Sequence, residues 1–177
     1  MTPDAPTRLL KHATASAFVF HHDRAEGWRT GLVLHPVFAR WMMPGGHVED
    51  YENTEEAVLR EVAEETGLTG IRLWSPAGPP AVVGGGVDPA AAVEVPCWIS
   101  EHVIPDGDNQ LSERHIHIDH KYVAITENPN SVTEPAHPFR WWKRAELADL
   151  SMFDDVRENA LTLFELLASG DPIADRE

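Results

Sequence analysis

The chain is short of cysteine, of basic residues and of long apolar runs, and each shortage removes a class of explanation. Its single cysteine, Cys97, cannot close an intramolecular disulfide or join a zinc cluster of paired cysteines. Flanked by Val95, Pro96, Trp98 and Ile99, that thiol reads as an inert buried group and not as a nucleophile. Fourteen lysines and arginines stand against 29 aspartates and glutamates, a formal net charge of -15. Such a surface repels polyanions, so no nucleic-acid polymer is expected as partner. No stretch approaches the roughly 18 apolar residues of a membrane span, and Met1 to Lys11 lacks the apolar core of a signal peptide. A reducing, cytoplasmic setting with no membrane association is the expectation.

What remains describes one soluble globular domain. At 177 residues the chain can bury a sizeable core, and 42% hydrophobic content with six tryptophans spread along it excludes a disordered polyanion. Residues 13–170 are assigned to the domain, 1–12 to a flexible N-terminal segment and 171–177 to a C-terminal tail. Short apolar runs predict strands over 13–20, 28–35, 40–43, 71–74, 93–104, 114–126 and 139–142. Glu26-Gly27 turns the first two into a hairpin, and the acidic turn from Asp106 to Asn109 pairs the strands on either side of it. Pro44-Gly45-Gly46 ends any strand at that point, and the Gly84 to Gly86 run reads as a loop. Two helices stand out. One runs from Asn53 to Thr66, opened by an Asn53/Glu56 capping box and closed by Gly67; the other spans 154–169, with Val156, Leu161, Phe164 and Leu167 at helical spacing. The order strands, helix, strands, helix implies a layered α/β or α+β domain.

The first helix carries the chemistry. Glu61, Glu64 and Glu65 stand at i, i+3 and i+4 and crowd into one sector of its surface. Like charges so placed destabilise a helix by about 0.2–0.5 kcal/mol per pair, so a counter-charge is expected. A hard divalent cation suits them, because Mg2+ joins a few carboxylates to substrate phosphates while keeping some of its water; Mn2+ fits similarly. Val58, Leu59 and Val62 occupy the adjacent sector, and their burial fixes the direction of the carboxylates. Arg60 can reach Glu56, Glu64 and Glu52, an orienting role. Gly45-Gly46 lets backbone approach a ligand, so a carbonyl there can enter the metal shell.

Read from Gly46, the sequence runs Gly46, five residues, Glu52, seven residues, then Arg60-Glu61-Val62-Ala63-Glu64-Glu65-Thr66-Gly67-Leu68. This segment resembles the Nudix box at every fixed position and in both hydrophobic slots. At roughly one in fifteen per fixed residue, a chance match at a given start is on the order of one in a billion. The resemblance implies an α/β/α sandwich with a mixed β-sheet. It also implies hydrolysis of a small-molecule nucleoside diphosphate derivative, in which Mg2+ or Mn2+ polarises the phosphates and water attacks phosphorus. By position it makes Glu61, Glu64 and Glu65 the metal-binding and catalytic carboxylates, Gly45 a backbone-carbonyl ligand, and Arg60 with Glu52 a supporting ion pair beside Gly46. Which glutamate is the base is left open, as is the nucleotide. Dimers are common among relatives that build pockets across subunits, so a homodimer is the assembly to test.

Outside the box the residues speak less clearly. His115, His117 and Asp119 alternate on one face of a predicted strand, with His120 on the other. They suit phosphate contacts, a base or further metal ligands, and equally a polar strand face lining a cleft. Trp41 could stack on a base, though a core position is the commoner fate of a lone tryptophan. Arg40, Arg72 and Lys121 are candidate phosphate contacts, and Glu101 and Glu113 read as surface acids. A second hypothesis keeps the box as a metal-dependent nucleotide sensor without turnover. A third, the isoprenoid diphosphate isomerase branch of the fold, calls for a catalytic cysteine, which Cys97 is poorly placed to be.

Overall fold

Strand β1 (Lys11–Asp23) is the spine of the sheet, because the run from Thr14 to His21 is buried without interruption. Continuous burial, in place of alternation, is what a strand covered on both faces requires. One edge of β1 pairs antiparallel with β2 (Gly27–His35) through Val19 to Asp23 and with β4 (Gly45–His47) through Thr14 to Ser16. The other edge runs parallel to β7 (His115–Ile125). Beyond β2 lie β3 (Arg40–Met42) and β8 (Phe139–Lys143), and beyond β7 lie β5 (Arg72–Trp74) and β6 (Trp98–Ile104). The computed structural model describes residues 8–76 and 93–170. Among these the eight strands form one mixed sheet in which only the β1–β7 pair is parallel. No helix of the described residues is long and apolar enough to cross a membrane.

Two helices cover opposite faces. Helix α1 (Thr54–Thr66) seats Ala57, Val58 and Val62 on Ala15, Ala17, Val19, Tyr122 and Ala124. Helix α2 (Asp154–Ser169) seats Val156, Ala160, Leu163, Phe164 and Leu167 on Phe18, Phe20, Val123 and Ile125. The alternation of β1 thus sends small residues toward α1 and phenylalanines toward α2, two cores divided by one sheet. The expected α/β/α sandwich is what the chain forms.

Three local expectations change. The strand expected over 93–104 begins only at Trp98, since Pro96 has no N–H to donate and the Cys97 N–H already goes to the Lys121 carbonyl at 2.8 Å. Pro44-Gly45-Gly46, expected to end a strand, leads into one: Gly45–His47 is β4, its backbone lying along Thr14 to Ser16, and the Pro44 carbonyl accepts from Ala17 N–H at 3.0 Å. A 3-10 helix over Arg144–Asp149 was too short to leave a periodic signal. The glycine run at 84–86 lies outside the described residues.

Helix α1 starts and stops where its sequence says. Asn53 accepts from the N–H groups of Glu55 (2.9 Å) and Glu56 (3.0 Å), while the Glu56 carboxylate accepts from Asn53 N–H at 2.9 Å. At its end Gly67 takes φ of +69°, and a side chain there would collide with the Thr133 carbonyl. Asn53→Ala is expected to lower stability by about 1 kcal/mol in urea denaturation, and Asn53→Asp, which keeps the acceptor, by much less.

Candidate active site

Burial of Val58 and Val62 fixes the rotation of α1, and with it the aim of the three glutamates. Two of them press on β4. The Glu61 carboxylate lies so close to Gly46 that any side chain at that position would collide with it, and Glu65 Oε2 accepts from Gly45 N–H at 3.0 Å. Glu64 stays in solvent, its side chain 59% exposed.

Arg60 ties this arrangement together with its whole guanidinium fork. Nε donates to Glu52 Oε1 at 2.7 Å, and Nη2 to Glu52 Oε2 and to the His47 carbonyl, each at 3.0 Å. Nη1 donates to Glu61 Oε1 at 2.7 Å and to Glu64 Oε2 at 3.3 Å, so those two carboxylates share one nitrogen. The expected contact to Glu56 is not made, because that carboxylate caps its own helix.

The electrostatics follow from crowding. Arg60 hydrogen bonding holds Glu52 below the usual carboxylate range. Burial pushes Glu61 up despite Arg60, and pushes Glu65 up to about 7 against the Gly45 hydrogen bond, with Glu61 and Glu64 adding repulsion. Three carboxylates share one guanidinium here, and Glu65 adds a fourth beside them. Fully ionised, the group needs further positive charge, and its all-oxygen donors at the glycine backbone of β4 fit a hard divalent cation held by Glu61, Glu64 and Glu65.

One neighbour escaped the sequence reading. The loop after β7 satisfies the end of α1: Val132 N–H donates to the Gly67 carbonyl (2.7 Å), Ser131 Oγ to that of Thr66 (2.6 Å) and Ala136 N–H to that of Glu64 (3.1 Å). The same loop carries His137 Nε2 to 3.4 Å from Glu65 Oε1. A histidine between Pro135 and Pro138 follows no period, and its only signal is the stiffness that flanking prolines give a loop.

His115, His117, Asp119 and Lys121 lie on the α2 face of the sheet, and the other candidates named below likewise have protein partners. Asp119 accepts from Ser16 Oγ (2.9 Å) and Thr14 Oγ1 (3.3 Å), and Lys121, only 3% exposed, has its Nζ 3.5 Å from Asp155 of α2. Trp41 packs edge-on against Trp142 with ring centres 5.0 Å apart, and the Arg40 guanidinium lies 4.5 Å over Phe153. Lys11 pairs with Glu101, and the Glu113 carbonyl meets His115 Nδ1 at 2.7 Å. His115 and His117 instead meet two residues that the sequence did not single out, His47 and Asp108. Burial pushes the Cys97 thiol up to about 11, in keeping with an inert group.

Glu65 sets a pH signature for the metal-free protein. Its folded value of about 7 lies above the ordinary 4.5, so the folded state holds the extra proton and the associated stability is complete below the unfolded value. That stability is lost as pH rises through the folded value. In chelator, the urea midpoint is expected to fall between about pH 5 and about pH 8, and less steeply in Glu65→Gln. Added Mg2+ is expected to raise Tm more at the upper end of that range, where the carboxylate is free of its proton.

Comparison with known proteins agrees with this architecture. The family model described as NUDIX domain matches residues 11–163. An RNA pyrophosphohydrolase from Acidiphilium cryptum (strain JF-5) is 27% identical over 116 residues, covering 63% of this chain and 60% of that protein's length. The crystal structure of a NUDIX-family hydrolase from Clostridium perfringens is 25% identical with a TM-score of 0.60, covering 90% of this chain and 99% of the other. A C. elegans Ap4A hydrolase, 13% identical, has the same TM-score of 0.60 and covers 90% and 99%. The family match runs from the first residue of β1 into α2 and encloses the whole carboxylate cluster: this chain belongs to the NUDIX family.

Proposed function

We propose that this chain hydrolyses the diphosphate linkage of a small-molecule nucleoside diphosphate derivative, using Mg2+ or Mn2+ held by Glu61, Glu64, Glu65 and the Gly45 carbonyl. The observation that carries the reading is that Glu61 and Glu65 press on β4 while Glu61 and Glu64 share one nitrogen of Arg60, a single guanidinium too small in charge to neutralise the cluster. Membership of the NUDIX family and similarity to a pyrophosphohydrolase support it.

When bound, the divalent cation supplies Lewis acidity toward phosphate oxygens and offsets the charge that develops on them. The chain's own residues do the rest. Arg60, locked by Glu52 and the His47 carbonyl, holds Glu61 and Glu64 side by side, so that no carboxylate must be gathered when substrate arrives. Glu64, exposed and short of full neutralisation, and Glu65, whose proton leaves near neutrality, are the two groups fit to accept the proton of the attacking water. His137 faces Glu65 and can take up that proton or hold the carboxylate in line. The glycines of β4 leave the phosphate chain free to approach the backbone. Arg40, Trp41, His115, His117, Asp119 and Lys121 are engaged by protein partners and do not supply this chemistry.

A panel of nucleoside diphosphate derivatives assayed for product release is expected to show turnover only with Mg2+ or Mn2+. Glu64→Gln and Glu65→Gln are each expected to lower kcat by about 10²- to 10⁴-fold, the usual contribution of a positioned acid or base. Turnover in chelator, or undiminished rates in both variants, overturns the assignment. Saturable ligand binding with no product formed assigns the chain to sensing.

A further inference from the structure

The imidazoles of His47, His115 and His117 and the Asp108 carboxylate converge on the face of the sheet opposite α1. His47 follows Gly46 on β4, and strand alternation turns its side chain away from the glutamates, beside its cross-strand partner Thr14. His115 and His117 come from the start of β7, and Asp108 from the β6–β7 connection. One potential ligand atom from each of the four lies within 4.8 Å of the others.

Their hydrogen bonding lacks a positive centre. His115 is fully buried, and its Nδ1 meets the Glu113 carbonyl at 2.7 Å. A carbonyl only accepts, so Nδ1 carries a proton, and in the singly protonated ring Nε2 presents its lone pair to the cluster. That lone pair faces Asp108 Oδ2 at 3.2 Å and His117 Nε2 at 2.9 Å. Asp108 Oδ2 also meets His117 Nε2 at 3.0 Å and His47 Nε2 at 3.2 Å, and the buried His47 nitrogen makes no hydrogen bond. The other oxygen, Asp108 Oδ1, is occupied by the N–H groups of Gln110 (2.9 Å) and Leu111 (2.8 Å), which aim Oδ2 inward. The His115 lone pair and Asp108 Oδ2 are both acceptors, and only a proton on His117 or His47 Nε2, or a cation, can lie between them.

We propose that His47, His115, His117 and Asp108 form a second metal site, for a four-coordinate transition ion of the zinc type, which fastens the β6–β7 connection to the strand that carries Gly45 and Gly46. Three imidazoles and one carboxylate suit zinc and its first-row neighbours, whereas Mg2+ prefers oxygen throughout. Ligand bonds of about 2.0–2.1 Å make tetrahedron edges of about 3.3–3.4 Å. Four of the separations here, from 2.9 to 3.2 Å, are already near that length. The Glu113 carbonyl on His115 and the turn N–H groups on Asp108 are the orienting contacts that such ligands need. This site is independent of the α1 carboxylates in position and in chemistry.

The test uses the untagged full chain, stripped with chelator and titrated with zinc against a chromophoric competitor, and with Co2+ followed by visible absorption. The expected result is one tight zinc ion per chain and the strong visible bands of four-coordinate Co2+. Asp108→Asn and His117→Gln, both at partly exposed positions and checked for folding by circular dichroism, are expected to weaken zinc binding by more than the roughly 10–100-fold typical of losing only an outer-shell partner. The combined Glu61→Gln, Glu64→Gln and Glu65→Gln variant is expected to bind zinc within about twofold of wild type, since those side chains lie across β4. Zinc affinity unchanged in the folded Asp108 and His117 variants overturns the proposal. So does six-coordinate Co2+ in the wild type, or loss of zinc binding with the glutamates alone.

Discussion

Arg60 is the interaction on which the rest depends. It has five N–H donors, and five acceptor contacts receive them: two on Glu52, one on the His47 backbone, and one each on Glu61 and Glu64. No other side chain has the charge and the planar fork to do this; a lysine, with three donors, could neutralise one carboxylate but could not hold four groups in fixed relation. Because Glu52 takes two of the donors and the His47 carbonyl a third contact, only Nη1 is left for the helix, and Glu61 and Glu64 must share it. The cluster is therefore organised and under-neutralised at once, which is the condition for a cation site.

Strand β4 is the second constraint, and it explains why two unlike constellations meet on three residues. Gly45 offers its N–H to Glu65, Gly46 admits the Glu61 carboxylate by lacking a side chain, and His47 turns its imidazole to the opposite face while its carbonyl stays on Arg60. The sheet thus lies between a set of carboxylates on one side and three imidazoles with one carboxylate on the other. In the proposed arrangement a hard cation and a zinc-type ion would each find a chemically distinct set of donors, and the sheet would keep the sets from mixing.

How much of this was legible in the sequence depends on the range of the information. Helix α1 could be read to the residue, since its cap, its apolar face and its terminal glycine are all local. The long strands were legible too, because uninterrupted burial leaves uninterrupted apolar runs. Strand β4 was not: Pro44-Gly45-Gly46 has the composition of a turn, and only pairing with Thr14 to Ser16 makes it extended. The carboxylate cluster was recognisable from spacing on one helix. The histidine cluster was half visible, as the alternation of His115 and His117, but His47 and Asp108 join it through tertiary contacts that no local pattern encodes. For the same reason Arg40 and Trp41, plausible by residue type as ligand contacts, turned out to have protein partners around the α2 core.

A protein this acidic is an awkward host for an anionic substrate, and the site shows how the conflict can resolve. In the absence of metal, burial keeps the proton on Glu65 up to about pH 7, which spares the cluster one negative charge. A divalent cation held by Glu61, Glu64 and Glu65 would add two charges in exchange for that proton, and would supply positive charge toward phosphate within an otherwise negative surface. The remaining acidity of the chain acts over distances that salt screens, whereas the metal acts at contact. Under the proposed function, the negative surface therefore opposes polyanionic polymers that must lie along it, and a small nucleotide need meet only the cation. Under that proposal the -15 charge that disfavours a polyanionic polymer leaves a small nucleotide accessible.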